Sequence, residues 1–155
     1  MRLRPILYGL LVLPLTLSLW LSLDLRAAAT EMTVYKAATC GCCIVWVEHL
    51  RANGFQVNVQ EVPDTAEYSR KHGVPDALRS CHIGIIEGYA IEGHVPAAEI
   101  QRLLKERPQA KGLAVPGMPL GSPGMTVESG RRDRYSVVLF GADGQTSVYR
   151  EYPGN

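Results

Sequence analysis

The chain has 155 residues, 46% of them hydrophobic, and a formal net charge of +1. That length suffices for one compact domain with its own core. The near-neutral balance gives no electrostatic case for nucleic acid, and the basic run Arg131-Arg132-Asp133-Arg134 is short and interrupted by an acid.

Residues 1–29 have the pattern of a signal peptide. A basic "MRLR" precedes the uncharged stretch "PILYGLLVLPLTLSLWLSL", and Ala27-Ala28-Ala29 forms an A-x-A site that predicts cleavage after Ala29. The apolar stretch is also long enough to serve as an uncleaved anchor, but Pro14 in its middle favours cleavage. In either case residues 30–155, expected to form a single domain, face an extracytoplasmic compartment. The bacterial style of the signal makes that compartment the periplasm.

Chain order then gives the elements. "MTVYKA" (32–37) alternates like a strand, and "CIVWVEHLRANG" carries Cys43, Val47 and Leu50 on one helical face before an Asn53-Gly54 stop. "FQVNVQEV" (55–62) is a second strand, which completes a βαβ unit with cysteines in its first turn. Asp64 can cap a short helix running to His72, with Glu67 at the capping-box position. "SCHIGIIEG" and "YAIEG" are two short strands turning near Gly88, and a helix starts at Pro96 with Ile100, Leu103 and Leu104 at helical spacing. The result is an α/β core of order β-α-β-α-β-β-α. Beyond Pro108, "KGLAVPGMPLGSPGM" is expected to be irregular, with "RPQAKGLAVPGM" a candidate lid, and the chain closes with a hairpin around Asp143-Gly144.

All four cysteines, Cys40, Cys42, Cys43 and Cys81, lie in the mature part. Outside the cytosol idle thiols tend to be oxidised. Yet a Cys40–Cys42 or Cys42–Cys43 bridge would close a small strained ring, so crowding favours a reactive or metal-binding device over a staple. If the third strand runs antiparallel to the first, Cys81 at its start reaches the edge that carries the first loop. The fourth strand then returns to that edge and delivers His94. Cys40, Cys42, Cys43, Cys81 and His94 should therefore converge.

The expected chemistry is soft-metal binding. Cys40 and Cys42 precede a helix, where free N–H groups favour thiolate, and clustered thiolates need a cation among them. Cu(I) fits first, then Zn(II) or an iron–sulfur cluster, and adjacent thiolates can bridge several Cu(I) ions. Met118 and Met125 flank "PLGSPG" in the irregular segment, and thioether sulfur binds Cu(I) far better than zinc. Packing of that loop onto the domain is their alternative role. His82 ranks below His94, because strand alternation should turn it away from Cys81. His49 and His72 are expected on exposed helical positions, and Trp46 and Tyr89 in the core or the site wall.

In this order, "TCGCC", "SCH", "EGHVP" and "GMPLGSPGM" resemble the small periplasmic copper-resistance proteins of the CopG kind, over roughly residues 32–128. The element order resembles the thioredoxin-like fold. The resemblance implies a cysteine-bridged copper site with sulfur from Cys40, Cys42, Cys43 and Cys81, and His94, Met118 and Met125 as outer ligands. It also implies a role in copper tolerance, by changing copper between Cu(I) and Cu(II) or by passing it to an exporter or periplasmic carrier. Ordinary thioredoxins use C-x-x-C and a cis-proline ahead of the third strand; here the motif is C-x-C-C and Arg79-Ser80-Cys81 stands in that place. A thiol–disulfide oxidoreductase remains the rival reading, and a zinc-stabilised structural module the third.

Overall fold

The computed structural model describes residues 30–155; the leader expected at 1–29 lies outside the described residues. The elements are β1 (Glu31–Ala37), α1 (Gly41–Ala52), β2 (Gln56–Val62), α2 (Ala66–Lys71), a 3₁₀ turn (Asp76–Leu78), β3 (His82–Ile86), β4 (Tyr89–Gly93), α3 (Ala97–Glu106), β5 (Gly112–Val115), β6 (Tyr135–Phe140) and β7 (Thr146–Tyr152). All strands join one sheet of order β2-β1-β3-β4-β5-β6-β7. β1 pairs parallel with β2 and β4 parallel with β5, and the remaining neighbours are antiparallel.

Helices cover both faces of the sheet, so its central strands are buried on both sides. On one face Trp46, Val47 and Leu50 of α1 and Ile100 and Leu103 of α3 pack over Met32, Val34, Ile91, Leu113 and Val137. On the other, Val74 and Leu78 meet Ile83, Ala90, Ala114 and Phe140, and Tyr68 of α2 stacks on Tyr35 with ring centroids 3.9 Å apart. α1 forms because its buried residues Cys43, Trp46, Val47 and Leu50 repeat at helical spacing. It stops at Asn53-Gly54, where Gly54 takes a φ of 89°.

The expected β-α-β-α-β-β-α order is present through α3. The β3–β4 turn sits at Glu87-Gly88, both with positive φ, as a two-residue hairpin turn requires. The segment after Pro108 departs from expectation. "GLAV" is β5, wholly buried between β4 and β6, so neither a lid nor an irregular loop starts there. Four residues opening on glycine carry too little alternation to announce a strand. That glycine is required, because a Cβ on Gly112 would run into the Ala90 backbone. Through β5 the β6–β7 hairpin continues the main sheet. The expected capping box at Asp64 reduces to one bond, the Ala66 amide donating to Asp64 Oδ1 at 2.9 Å.

Candidate metal centre

The centre is built where β1 ends and β3 begins. Lys36 pairs with His82 across the antiparallel ladder, and the Ala37 amide donates to the Cys81 carbonyl at 3.3 Å. The loop after β1 therefore faces the residues entering β3. Cys40, extended at φ −81° and ψ 95°, stands at the N-terminus of α1, and Cys43 is buried one turn further on. Trp46 Nε1 donates to the Val95 carbonyl at 2.9 Å, which ties α1 to the segment carrying His94.

Sulfur dominates the centre. Cys81 Sγ lies 3.0 Å from Cys40 Sγ and 3.4 Å from Cys43 Sγ, and Cys42 Sγ is 3.6 Å from Cys40 Sγ. His82 Nδ1 stands 3.2 Å from Cys43 Sγ. One ligand atom from each of Cys40, Cys43, Cys81 and His82 lies within 4.8 Å of the others.

Cys40 and Cys43 are joined in a disulfide, with 5.5 Å between their Cα atoms, while Cys42 and Cys81 are free thiols. The bridge that forms is neither of the two judged strained from spacing. Residues 40–43 contain C-x-x-C as well as C-x-C-C, and one helical turn brings the outer pair together. The C-x-x-C within "CGCC" was therefore legible, and the contrast with thioredoxin spacing drawn above does not hold for this pair.

His82 is the residue that strand alternation misplaces. Cys81 lies in a bend ahead of β3, outside the strand, so alternation does not relate the two side chains. The His82 ring sits between Trp46 and His94, with centroids 4.5 Å and 4.9 Å away. His94 Nδ1–H donates to the Pro123 carbonyl at 2.7 Å, which leaves the lone pair on Nε2. The Nε2 atoms of both His82 and His94 are buried without a hydrogen-bond partner. Buried polar atoms rarely stay unpaired, so these are two nitrogen donors available to a ligand.

Electrostatics keep the imidazoles neutral. Burial, with His94 close by, pushes His82 down to about 3, while the Gly93 carbonyl works weakly the other way. Burial also lowers His94, opposed by its bond to Pro123. Burial and then the neighbouring Cys42 push the Cys81 thiol up, so a cation entering the centre would displace a proton from it.

The remaining candidates are placed unequally. Gly124 packs so closely that a Cβ would stand 2.9 Å from the Cys42 carbonyl and 3.1 Å from His94 Nδ1. Met125 follows it, with its amide donating to the Ser122 carbonyl at 2.9 Å. Met118 is 46% exposed. The structure brings Cys40, Cys42, Cys43, Cys81, His82 and His94 together and packs Gly124, the residue before Met125, against Cys42 and His94. No thioether bond to the cluster is present among the described residues. His49, expected to be exposed, is half-buried and its Nε2 accepts the Ala97 amide at 3.1 Å.

A family model described as "Protein of unknown function, DUF411" matches residues 78–125, the segment holding Cys81, His82, His94 and both candidate methionines. Two solved structures are similar to the chain. "Copper resistance protein copG- Form 2" is 47% identical with a TM-score of 0.76, over 81% of this chain and 99% of that one. "Copper resistance protein copG- Form 1" is 48% identical with a TM-score of 0.76 over the same shares. None of the curated proteins matches. The family resemblance drawn from the four motifs is borne out by the two structures.

Proposed function

This chain belongs to the family of the CopG copper-resistance proteins, and from that premise we propose that it binds copper as Cu(I) in a cysteine-bridged, multinuclear site. The observation that carries the reading is the group Cys40, Cys43, Cys81 and His82, whose ligand atoms lie within 4.8 Å of one another. Thiolate sulfur with neutral imidazole is the donor set that soft copper prefers, and adjacent sulfurs can each bridge two ions. Cys40, Cys42, Cys43 and Cys81 supply sulfur once the Cys40–Cys43 bridge is opened, and His94 offers Nε2. Met118 and Met125 complete the proposed set as thioether ligands, Met125 from a backbone next to the centre. Imidazole beside sulfur also makes Cu(II) accessible, which supports a Cu(I)/Cu(II) role at the same site.

The proposed setting is the periplasm, reached through the leader, in service of copper tolerance, with an exporter or a periplasmic copper carrier as the partner. The test is to express the full chain, purify it as the host processes it, reduce it anaerobically and load it with Cu(I). Copper and zinc per chain are then counted by elemental analysis. Several coppers per chain support the reading; none bound tightly, or zinc preferred, overturns it.

One observation favours a second reading. The Cys40–Cys43 disulfide with a free Cys81 thiol 3.0 Å away is an arrangement for thiol–disulfide exchange. A general oxidoreductase would reduce insulin disulfides in the absence of metal, and a copper protein would not.

A further inference from the structure

We infer that Lys36 is a fixed positive charge belonging to the metal centre, where it favours the anionic copper–thiolate states made by the first Cu(I) ions to enter. The inference deepens the proposed function and rests on Cu(I) being the cargo. Lys36 is only 3% exposed, and lysine is almost never buried so deeply without a partner for its charge. Strand geometry aims it at the centre. Burial alternates along β1, so Lys36 shares with Met32 and Val34 the face that packs under α1. Its partner across the ladder to β3 is His82, and antiparallel partners project side by side on one face. Lys36 Nζ donates to the Ala37 carbonyl at 3.2 Å, and the same carbonyl accepts the Cys40 amide at 3.1 Å. The ammonium therefore sits at the turn that presents Cys40.

The protein itself answers this charge only in part. The carboxylate partner, Glu61 at 2.9 Å, lies on the edge strand β2 with 59% of its side chain exposed, where water screens it. Nζ has three N–H donors and, among the described residues, places them on Ala37 and Glu61 alone. Burial keeps His82 and His94 neutral, so they add no positive charge of their own. Copper and sulfur supply the missing negative charge. A Cu(I) ion held between two thiolates carries one net negative charge, and a third thiolate adds another. Cu(I) ions equal in number to the thiolates leave no net charge. A buried cation beside the cluster thus stabilises the sparsely loaded states most and the filled, neutral state least. Lys36 tightens the first ion and makes the cluster fill stepwise rather than all at once.

The experiment uses the full chain as the host processes it, reduced and then freed of reductant under anaerobic conditions. Cu(I) is titrated against a competing chromogenic chelator, and the affinity of each successive ion is compared in wild type, Lys36→Met, Lys36→Arg and Glu61→Gln. In Lys36→Met the first ion should bind about tenfold more weakly, while the last ion changes by less than about twofold. Lys36→Arg should restore most of the first-ion affinity. Glu61→Gln removes the opposing charge, so it should tighten the first ion by about two- to threefold. A merely structural Lys36–Glu61 pair requires instead that both substitutions weaken every ion alike, and that result overturns the inference. A wild-type first-ion affinity in Lys36→Met overturns it as well. Should Lys36→Met fail to fold, Glu61→Gln, exposed on an edge strand, decides alone, and weaker or unchanged first-ion binding there is fatal to the inference. Tight Cu(I) binding that is the same in wild type and all variants sinks this inference only, whereas no tight Cu(I) in the wild type sinks the proposed function itself.

Discussion

Cys81 Sγ lies 3.0 Å from Cys40 Sγ although 41 positions separate them. The contact follows from strand direction. β3 runs antiparallel to β1, so the residue entering β3 meets the residue leaving β1, and the Ala37–Cys81 backbone bond fixes the two at one sheet edge. Cys81 thus joins the sulfurs of the α1 turn to the imidazoles of His82 and His94.

Replacing that link should cost metal and little fold. In Cys81→Ser we expect fewer Cu(I) ions per chain, and at least about tenfold easier loss of the rest to a competing chelator. Far-UV circular dichroism should be unchanged, because Cys81 is only half-buried and makes its strand contact through the backbone carbonyl. Unchanged copper content in the variant would remove Cys81 from the ligand set.

Trp46 should report loading. It is the only tryptophan in residues 30–155, and its ring centroid is 4.5 Å from that of His82. Copper bound at the centre is expected to quench its fluorescence in step with the number of ions added. His82→Ala should weaken both binding and quenching. Full occupancy without quenching would place the metal elsewhere.

The two methionines should separate. Met125 follows the glycine that packs on Cys42 and His94, whereas Met118 is 46% exposed. Met125→Leu is expected to lower Cu(I) affinity several-fold and Met118→Leu to have the smaller effect, read by the same chelator competition. Equal, undetectable effects would assign both to packing of the loop.

Gly124→Ala tests the loop itself. Gly124 has a φ of 89°, and the new Cβ would press on the Cys42 carbonyl and His94 Nδ1. Backbone strain and overlap together should cost about 2 kcal/mol. The expected readouts are a melting temperature lower by several degrees and a weakened His94–Pro123 bond, visible as a shift in the His94 imidazole NMR signals.

Glu92 should make the metal-free protein less stable as pH rises. Its carboxyl is fully buried, accepting from the Ser80 amide and the Ser69 hydroxyl, and burial pushes it up from 4.5 to about 7. A carboxyl raised on folding contributes its full stability below about pH 4.5 and loses it as pH rises through about 7. The shift corresponds to on the order of 3 kcal/mol. His82, lowered to about 3, opposes it on the acid side, losing stability as pH falls below 6.5. Denaturant titrations of wild type and Glu92→Gln between pH 5 and 8 isolate the carboxyl. The difference between them should change by a few kcal/mol, and parallel curves would refute the shift.

Local pattern, read with the family motifs, was enough for the core order through α3 and for the kinship. Helical spacing at Cys43, Trp46, Val47 and Leu50, and Asn53-Gly54 after them, are short-range signals that survive in any context. Convergence of Cys81 on the first cysteines also followed, because antiparallel pairing of β3 with β1 leaves its start no other edge.

What sequence alone could not decide was how neighbours in space divide the work. β5 is a strand because β4 and β6 pair with it on either side, and four residues beginning with Gly112 have no such preference alone. His82 joins the sulfurs because the chain bends at Cys81, which cancels the alternation a longer strand would impose. Of the three cysteines within residues 40–43, the tertiary structure bridges Cys40 with Cys43 and leaves Cys42 free, since a helical turn brings together residues three apart. Residue type and spacing thus determined the kind of chemistry, while the packing of α1 and β3 decided which atoms meet, because contact geometry depends on distances that the linear pattern does not contain.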